Sequence, residues 1–151
     1  MAALSEEQEL IRDAARAWTR DRAPVAALRA LRDAAAGDGV DRALWAELVE
    51  LGWTGILVGE AEGGTDLGHL TFALVLEELG RHLAPVPLFA SAYVGASALR
   101  LAGDGEQRAR WLPEIVAGRE ILALAVDEGP RHRPHAIATS AAARELSLIH
   151  I

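Results

Sequence analysis

The segment from Leu76 to Ala90, LEELGRHLAPVPLFA, decides the fold that the sequence predicts. It begins like an amphipathic helix, is interrupted by Pro85 and Pro87, and continues as an almost uncharged run. Proline lacks a backbone donor and disfavours helical geometry in the residue before it, so the segment predicts two helices joined by a short break. Two apolar helices in direct succession must enclose either a packed core or an apolar ligand pocket.

Signals for helix starts recur on both sides of this segment. Ser5 to Gln8 has the form of a capping box, in which the serine oxygen and the glutamine side chain serve the first-turn amides. Asp41 and Asp104 are suited to cap two further helices, and each is followed by apolar residues at helical spacing. The sequence therefore predicts an all-α fold, a helical bundle.

The polarity of the two helices around the proline break differs. The first is predicted to carry two exposed ion pairs at i,i+4 spacing, Glu77–Arg81 and Glu78–His82. The second belongs to the charge-free run from Leu83 to Leu99, whose prolines, glycine and many alanines are unlike a membrane span. We interpret it as a buried helix of the bundle.

The sequence changes character after the last predicted helix. Ile121 to Val126, ILALAV, is the one segment with a strand-like pattern. From Gly129 onward no sustained period is present, so we expect an irregular, mobile tail. The ending LSLIHI is either a foreign junction or a short native strand.

Composition excludes several classes of function. The chain has 151 residues, 51% of them hydrophobic, which is one domain's worth of globular protein. Its net charge of −7 argues against nucleic acid and anionic membrane as partners. All 15 basic residues are arginine and cysteine is absent, which excludes Schiff-base chemistry, thiol catalysis and thiolate metal sites. The N-terminus has no signal-peptide pattern, and we expect a cytoplasmic protein.

Local catalytic signatures are weak. The glycines from Gly63 to Gly68 have the wrong spacing for a dinucleotide fingerprint, and Ser97 lacks the second glycine of a nucleophile elbow. His132 and His135 have a spacing that two metal ligands could use, but no third ligand is nearby, so we interpret them as solvated. The sequence therefore predicts no catalytic residue and no metal site of its own.

The order of three segments carries the functional signal. They are GWTGILVGEAEGGTDLGH from Gly52, LVLEELGRHLAPVPLFAS from Leu74, and DGEQRARWLPEIVAGREILALAVDE from Asp104. Together they resemble the N-terminal part of the acyl-CoA dehydrogenases, in which a glycine-rich loop, a Glu-Glu-Leu helix, an apolar helix, an E-Q-x-x-x-W/Y-L-P helix and a strand follow in this order. The resemblance covers about Leu4 to Glu128.

The resemblance implies a flavoenzyme that removes hydrogens from the α and β carbons of an acyl-CoA thioester, with electron-transfer flavoprotein as its electron acceptor. Residues 1–120 would be the helical N-terminal domain, and residues 121–151 the truncated start of a β-barrel domain, of which only the first strand is present, plus the irregular tail. The apolar helices would form a wall of the acyl-chain pocket. Leu88, Ser91 and Ala92 are the candidates to line it, with core packing as the alternative for each.

The same resemblance places Leu124, Val126 and Asp127 at the cofactor FAD. Asp127 stands where the family has the threonine of a Thr-Glu-Pro motif, so a carboxylate replaces a hydroxyl expected to hydrogen-bond the flavin. The catalytic glutamate and most of the flavin site would lie outside these residues. We therefore expect residues 1–151 alone to be inactive and to bind FAD weakly.

Three hypotheses remain open from the sequence. The chain belongs to a competent acyl-CoA dehydrogenase, to a non-catalytic subunit of a hetero-oligomeric relative, or to a helical interaction domain. The replacement at Asp127 favours the second hypothesis mildly. A homo- or hetero-oligomer is expected for the full-length protein under the first two.

Overall fold

The computed structural model of the chain describes residues 3–34, 39–144 and 147–150, with side chains described up to residue 140. Up to residue 140 its regular secondary structure is helical, as the sequence predicts. Six α-helices form the body: α1 (Glu6–Arg22), α2 (Val25–Asp33), α3 (Arg42–Glu50), α4 (Gly68–His82), α5 (Ala96–Ala102) and α6 (Gly105–Val116). Two 3₁₀ turns (Trp53–Gly55 and Glu60–Glu62) join α3 to α4, and a π-helix (Phe89–Gly95) leads directly into α5.

The predicted helix caps are confirmed. The Ser5 hydroxyl accepts a hydrogen bond from the N–H of Gln8, and the Gln8 side chain accepts one from the N–H of Ser5. Asp104 and Gln107 form a second capping box at the start of α6. The Asp41 carboxylate accepts from two N–H groups of α3. These caps satisfy amides that a helix leaves without a partner in its first turn.

The main core lies where α1 and α4 pack together against α3. Its largest fully buried side chain is Phe72, and the rings of Trp18 and Trp53 meet edge to face with centroids 5.6 Å apart. A smaller core under α6 contains Val58, Ala96, Leu112 and Ile115. The two cores bury the apolar stripe that the helical spacing of the sequence predicts.

One of the two ion-pair predictions for α4, the exposed pair of Glu78 with His82, is wrong. Glu77 and Arg81 do form an exposed i,i+4 pair. Glu78, however, is buried, and its Oε1 accepts hydrogen bonds from Arg16 of α1 at 2.9 and 3.3 Å. A second guanidinium, that of Arg81, lies 3.6 Å from its Oε2. Glu78 turns toward α1 because the helix interface covers its face of α4, which the sequence of α4 alone does not reveal.

The predicted break between the two apolar helices is confirmed. Helix α4 ends at His82, its C-cap Leu83 has the left-handed φ of 54°, and the N–H of Ala84 bonds back to the carbonyl of Leu79. The carbonyl of Pro85 accepts a hydrogen bond from the N–H of Asp41, which ties the break to the start of α3. Among the described residues no helix is long and apolar enough to cross a membrane.

The predicted strand at Ile121 to Val126 is wrong. This segment has no regular secondary structure, because a strand requires a paired neighbour and none of the described residues pairs with it. Strands occur instead in the tail that was expected to be irregular: β1 (Ala141–Arg144) and β2 (Ser147–His150) form an antiparallel hairpin. Its register pairs Arg144 with Ser147, so most of the ending LSLIHI belongs to a strand, while Leu146 and Ile151 lie outside the described residues.

Candidate functional site

An apolar groove is formed almost entirely by the segment that the proline break divides. We call it the α4–π groove. It encloses about 330 Å³ and is lined by Leu76, Leu79, Gly80, Leu83, Ala84, Val86, Leu88 and Phe89. No charged side chain belongs to this lining. Such a surface suits an apolar ligand and offers nothing for proton transfer.

The break itself creates the groove. The left-handed turn at Leu83 redirects the chain after α4, and the residues up to Leu88 then return along the end of that helix. Leu79 and Leu88 are buried and form the floor. Leu83 and Phe89 stand at the rim, 58% and 56% exposed. Large apolar side chains exposed around an apolar cleft are typical of a ligand or partner site.

The three predicted substrate-binding residues separate in the structure. Leu88 lines the α4–π groove. Ser91 and Ala92 are completely buried, and neither belongs to the lining of that groove. Ala92 is part of the main core. The sequence reasoning missed Leu83 and Val86, although the prolines beside Val86 were the available signal.

Ser91 has a structural contact of its own. Its Oγ accepts a hydrogen bond of 3.2 Å from the N–H of Leu122, which lies 31 positions later in the chain. One turn further along, a Cβ added to Gly95 would lie 2.7 Å from the Cβ of Leu122. The π-helix therefore meets the segment after α6 with the hydroxyl oxygen of Ser91 and with Gly95, which has no side chain. These two contacts hold Leu122 in place. π-Helical turns are rare and often occur at functional sites.

A second apolar groove results from this anchoring. We call it the α5–α6 groove; it also encloses about 330 Å³. Its lining contains Gly95, Ala98, Leu99, Ala102, Gly103, Gln107, Trp111, Leu122, Ala123 and Leu124. Leu124, one of the three predicted cofactor-binding residues, lies here with 56% of its surface exposed.

The other two predicted cofactor-binding residues lie on a neighbouring surface. Val126 and Asp127 line a cavity of about 590 Å³ together with Glu128 and Thr139. The Asp127 carboxylate lies 2.9 Å from Nδ1 of His132. A hydrogen bond from the Thr139 hydroxyl, with further bonds from the N–H groups of residues 138 and 139, holds the pKa of Glu128 below its ordinary value.

The metal-like spacing of His132 and His135 has no ligand cluster around it. Both residues are exposed, and the ring of His132 pairs with Asp127. Across the described residues no group of three or more potential ligands is close enough to hold a metal ion.

Known proteins share this sequence and fold. The sequence profile of the acyl-CoA dehydrogenase N-terminal domain matches residues 5–119. The acyl-CoA dehydrogenase FadE27 of Mycobacterium tuberculosis is 37% identical over 94 residues, which are 60% of this chain and 25% of that protein. The mitochondrial isovaleryl-CoA dehydrogenase of Pongo abelii is 35% identical over 89 residues, 58% of this chain and 21% of that protein. The chain thus spans about a quarter of the length of these relatives.

Solved structures agree with these relatives. A variant of the Tcur3481–Tcur3483 steroid ACAD superposes with a TM-score of 0.80 at 34% identity, covering 96% of this chain and 39% of that one. The ChsE4–ChsE5 complex of Mycobacterium tuberculosis gives 0.80 at 25% identity, covering 99% and 40%. An acyl-CoA dehydrogenase of Bacillus anthracis complexed with FAD gives 0.78 at 25% identity, covering 91% and 24%.

The fold and the sequence together define an acyl-CoA dehydrogenase N-terminal helical domain. The chain belongs to the acyl-CoA dehydrogenase family.

The backbone of the segment from Ala123 to Val126 suits the polar edge of a flavin, whereas the side chain of the following Asp127 does not. Within the described part of the chain, its backbone N–H and C=O groups make no hydrogen bonds, so they are free to meet the polar edge of a ring. The side chain of Asp127 offers only acceptors when ionised, and therefore cannot replace a hydroxyl donor. The fit rests on the backbone and on the apolar side chains of Leu124 and Val126.

Proposed function

We propose that this chain is the N-terminal domain of an FAD-dependent acyl-CoA dehydrogenase, and that the α4–π groove provides one wall for the acyl chain. The observation that carries this proposal is the groove's lining, which is apolar throughout and comes from the segment Leu76 to Phe89. Each methylene group of an acyl chain that leaves water for an apolar wall contributes about 0.8 kcal/mol to the binding free energy. An apolar groove is therefore suited to bind the hydrocarbon part of an acyl-CoA.

The contribution of this chain to the reaction would be binding and exclusion of water. FAD, when bound, would accept a hydride from the β carbon while a carboxylate takes the α proton. Neither groove has a carboxylate among its lining residues. We therefore assign no catalytic base to the described residues, and we propose that the base comes from elsewhere in the full-length protein or its assembly.

The flavin would meet this chain along the segment after α6. Leu124 and Val126 would contact the ring, while the backbone groups between Ala123 and Val126 would bond either the ring edge or a neighbouring β-strand. The Ser91–Leu122 hydrogen bond would set the position of this segment. Asp127 would contribute to the site only through its contact with His132, whose Nδ1 lies 2.9 Å from its carboxylate.

A second candidate is a subunit of a hetero-oligomeric acyl-CoA dehydrogenase that does not itself perform the chemistry. Two observations favour it: the carboxylate of Asp127 where a hydroxyl donor is expected, and the likeness to the Tcur3481–Tcur3483 and ChsE4–ChsE5 proteins. For this second candidate we propose a steroid-derived acyl group as the substrate class, because the chain is similar to a steroid ACAD. Electron-transfer flavoprotein as acceptor and a cytoplasmic location remain predictions from the sequence.

The decisive experiment narrows the groove without disturbing the fold. Gly80 lines the groove in the last turn of α4, and a Cβ added there would have no atom within 4 Å other than those of its own helix backbone and chain neighbours. Gly80→Leu should therefore occupy groove volume while improving helix propensity by about 0.5–1 kcal/mol. In the full-length protein, loss of room for two methylene groups should weaken long-chain acyl-CoA about 15-fold and leave short-chain acyl-CoA unaffected.

The matched control is Gly105→Leu. Gly105 also has open space around its Cβ position, and it begins α6 outside both grooves. Flavin bleaching by acyl-CoA is the readout. An identical chain-length profile for the two variants would refute the groove assignment. Bleaching that occurs only after co-expression with a second subunit would select the hetero-oligomeric reading.

A further inference from the structure

A charged cleft lies away from both apolar grooves and shares no lining residue with either. It encloses about 270 Å³ between the second 3₁₀ turn (Glu60–Glu62) and helices α5 and α6. Its lining consists of Gly59, Glu62, Arg100, Arg108 and Leu112. No step of the proposed dehydrogenation uses these residues.

Backbone carbonyls hold both guanidinium groups in place. Nη1 of Arg100 donates to the carbonyl of Leu57, and Nη1 of Arg108 donates to the carbonyl of Gly103 at 3.1 Å. Each bond uses one of the five N–H donors of an arginine. The remaining donors are oriented by these bonds but not consumed by them.

The charges of these two arginines are poorly compensated. Other arginines of the chain bond carboxylates closely, as Arg22 does with Glu47 and Arg119 with Glu114. Arg100 has its nearest carboxylate 4.0 Å away, on Asp66, whose side chain is 61% exposed. Within the described part of the chain, Arg108 has no carboxylate within 4 Å. In a protein of net charge −7, the cleft thus holds two oriented cations, one with a distant and exposed carboxylate partner and one with no carboxylate within 4 Å in the described structure.

The opposite wall of the cleft carries a negative group. Glu62 lies over Gly59, where an added Cβ would be only 2.9 Å from Oε2 of Glu62. Glycine at this position therefore leaves space for the carboxylate to stay in the cleft. Glu62 is not within 4 Å of a guanidinium nitrogen of Arg100 or Arg108 in the described structure, so the cleft's charges do not neutralise one another.

We propose that this cleft binds a phosphate oxyanion, with its anionic oxygens on Arg100 and Arg108 and its P–OH donating to Glu62. A tetrahedral phosphate can accept hydrogen bonds from two guanidinium groups and still offer a hydroxyl donor to a third group. An ionised carboxylate ligand has two oxygens and no donor, so it would be repelled by Glu62. The buried side chain of Leu112 forms the floor.

The test is a titration of the purified protein at constant ionic strength in chloride, followed by ¹⁵N NMR shifts of the arginine side chains and of the Gly59 amide. Inorganic phosphate, phenyl phosphate, sulfate and acetate are the probes. Saturable binding of phosphate is expected, about tenfold tighter than sulfate, because sulfate has the same shape but no proton for Glu62. Because a phosphate monoester loses its second proton near pH 6, the two phosphates are compared below that pH, and the tighter of them identifies the source as a free anion or an organic phosphate.

Variants distinguish a built site from general ionic effects. Arg108→Gln should weaken phosphate binding tenfold or more, since a hydrogen bond to a charged group is lost. Arg110→Gln is the control, because that guanidinium stacks 4.5 Å from the ring centroid of Trp111 on the same helix. Glu62→Gln should remove the preference for phosphate over sulfate.

Two results would overturn the proposal: equal titrations for Arg108→Gln and Arg110→Gln, or no saturable response to phosphate. If Arg108→Gln unfolds, Arg108→Lys replaces it. The lysine keeps the positive charge but cannot donate two parallel hydrogen bonds, so an intermediate affinity for phosphate is expected. A phosphate affinity equal to that of the wild type would count against the site.

Discussion

Ser91→Ala tests whether the π-helix positions the segment that leads toward the flavin. The serine is fully buried, and its Oγ accepts the 3.2 Å hydrogen bond from the N–H of Leu122. Alanine removes this acceptor and adds no bulk. Loss of one neutral hydrogen bond should reduce the free energy of unfolding by about 0.5–1.5 kcal/mol. For a chain of this size, that corresponds to a decrease in Tm of about 2–4 °C per kcal/mol.

Amide hydrogen exchange gives the sharper readout. The N–H of Leu122 loses its partner in the variant, and a change of about 1 kcal/mol in local stability accelerates exchange about fivefold. Amide exchange in α1 and α4 should change little, since neither helix takes part in the hydrogen bond between Ser91 and Leu122. In the full-length protein, FAD affinity should fall as well, because Leu124 and Val126 follow Leu122 directly.

Ser97→Ala is the matched control. Ser97 lies on α5, is half-buried, and its hydroxyl makes no hydrogen bond within the described structure. Its replacement should change stability by less than about 0.5 kcal/mol. If both variants leave Leu122 exchange unaltered, the anchoring argument is refuted. If Ser91→Ala changes only the acyl chain-length profile, Ser91 is a substrate contact instead.

Three further predictions concern the core, the glycine-rich loop and pH. Ala92→Phe should overpack the main core and lower stability by about 1–3 kcal/mol, with an unchanged chain-length profile in the full-length protein; a shift toward shorter chains would restore Ala92 to the pocket wall. Gly64→Ala should prevent stable folding, as judged by circular dichroism, because the new Cβ would lie 2.0 Å from the carbonyl oxygen of Val58. The hydrogen bond from Arg22 holds the pKa of Glu47 below its ordinary value of 4.5. Glu47 therefore stabilises the fold above pH 4.5, and this contribution is lost as pH falls through its folded pKa. Glu47→Gln should remove this loss from a plot of unfolding free energy against pH. A plot unchanged from that of the wild type would contradict the role of Glu47.

The helices and their boundaries could be read from the sequence because short-range physics determines them. Capping at Ser5, Asp41 and Asp104 depends on side chains that bond amides two or three residues away. The break at Pro85 and Pro87 depends on proline geometry alone. Each of these features is decided within one helical turn.

The candidate site could be read only in part. The apolar segment around the prolines pointed to the groove, and Leu88 does line it. The sequence did not reveal which side of the second helix faces the groove. Leu88, Ser91 and Ala92 were candidates by resemblance, with core packing as the alternative for each. The residues from Phe89 to Gly95 form a π-helix, in which the α-helical period does not assign faces. Ser91 meets the segment after α6, and Ala92 lies in the main core.

The sequence by itself determined the family, the all-helical class, the helix starts at Ser5, Asp41 and Asp104 and the proline break, because these follow from local spacing and from the order of recognisable segments. The tertiary structure alone decided three things: the burial of Glu78 against Arg16, the anchoring of Leu122 on Ser91, and the unpaired state of Ile121 to Val126. The first two depend on contact with a residue that is remote along the chain, and the third depends on the lack of a neighbouring strand among the described residues. Glu78 lies 62 positions from Arg16, for example, and no local pattern encodes which distant group will meet a given side chain.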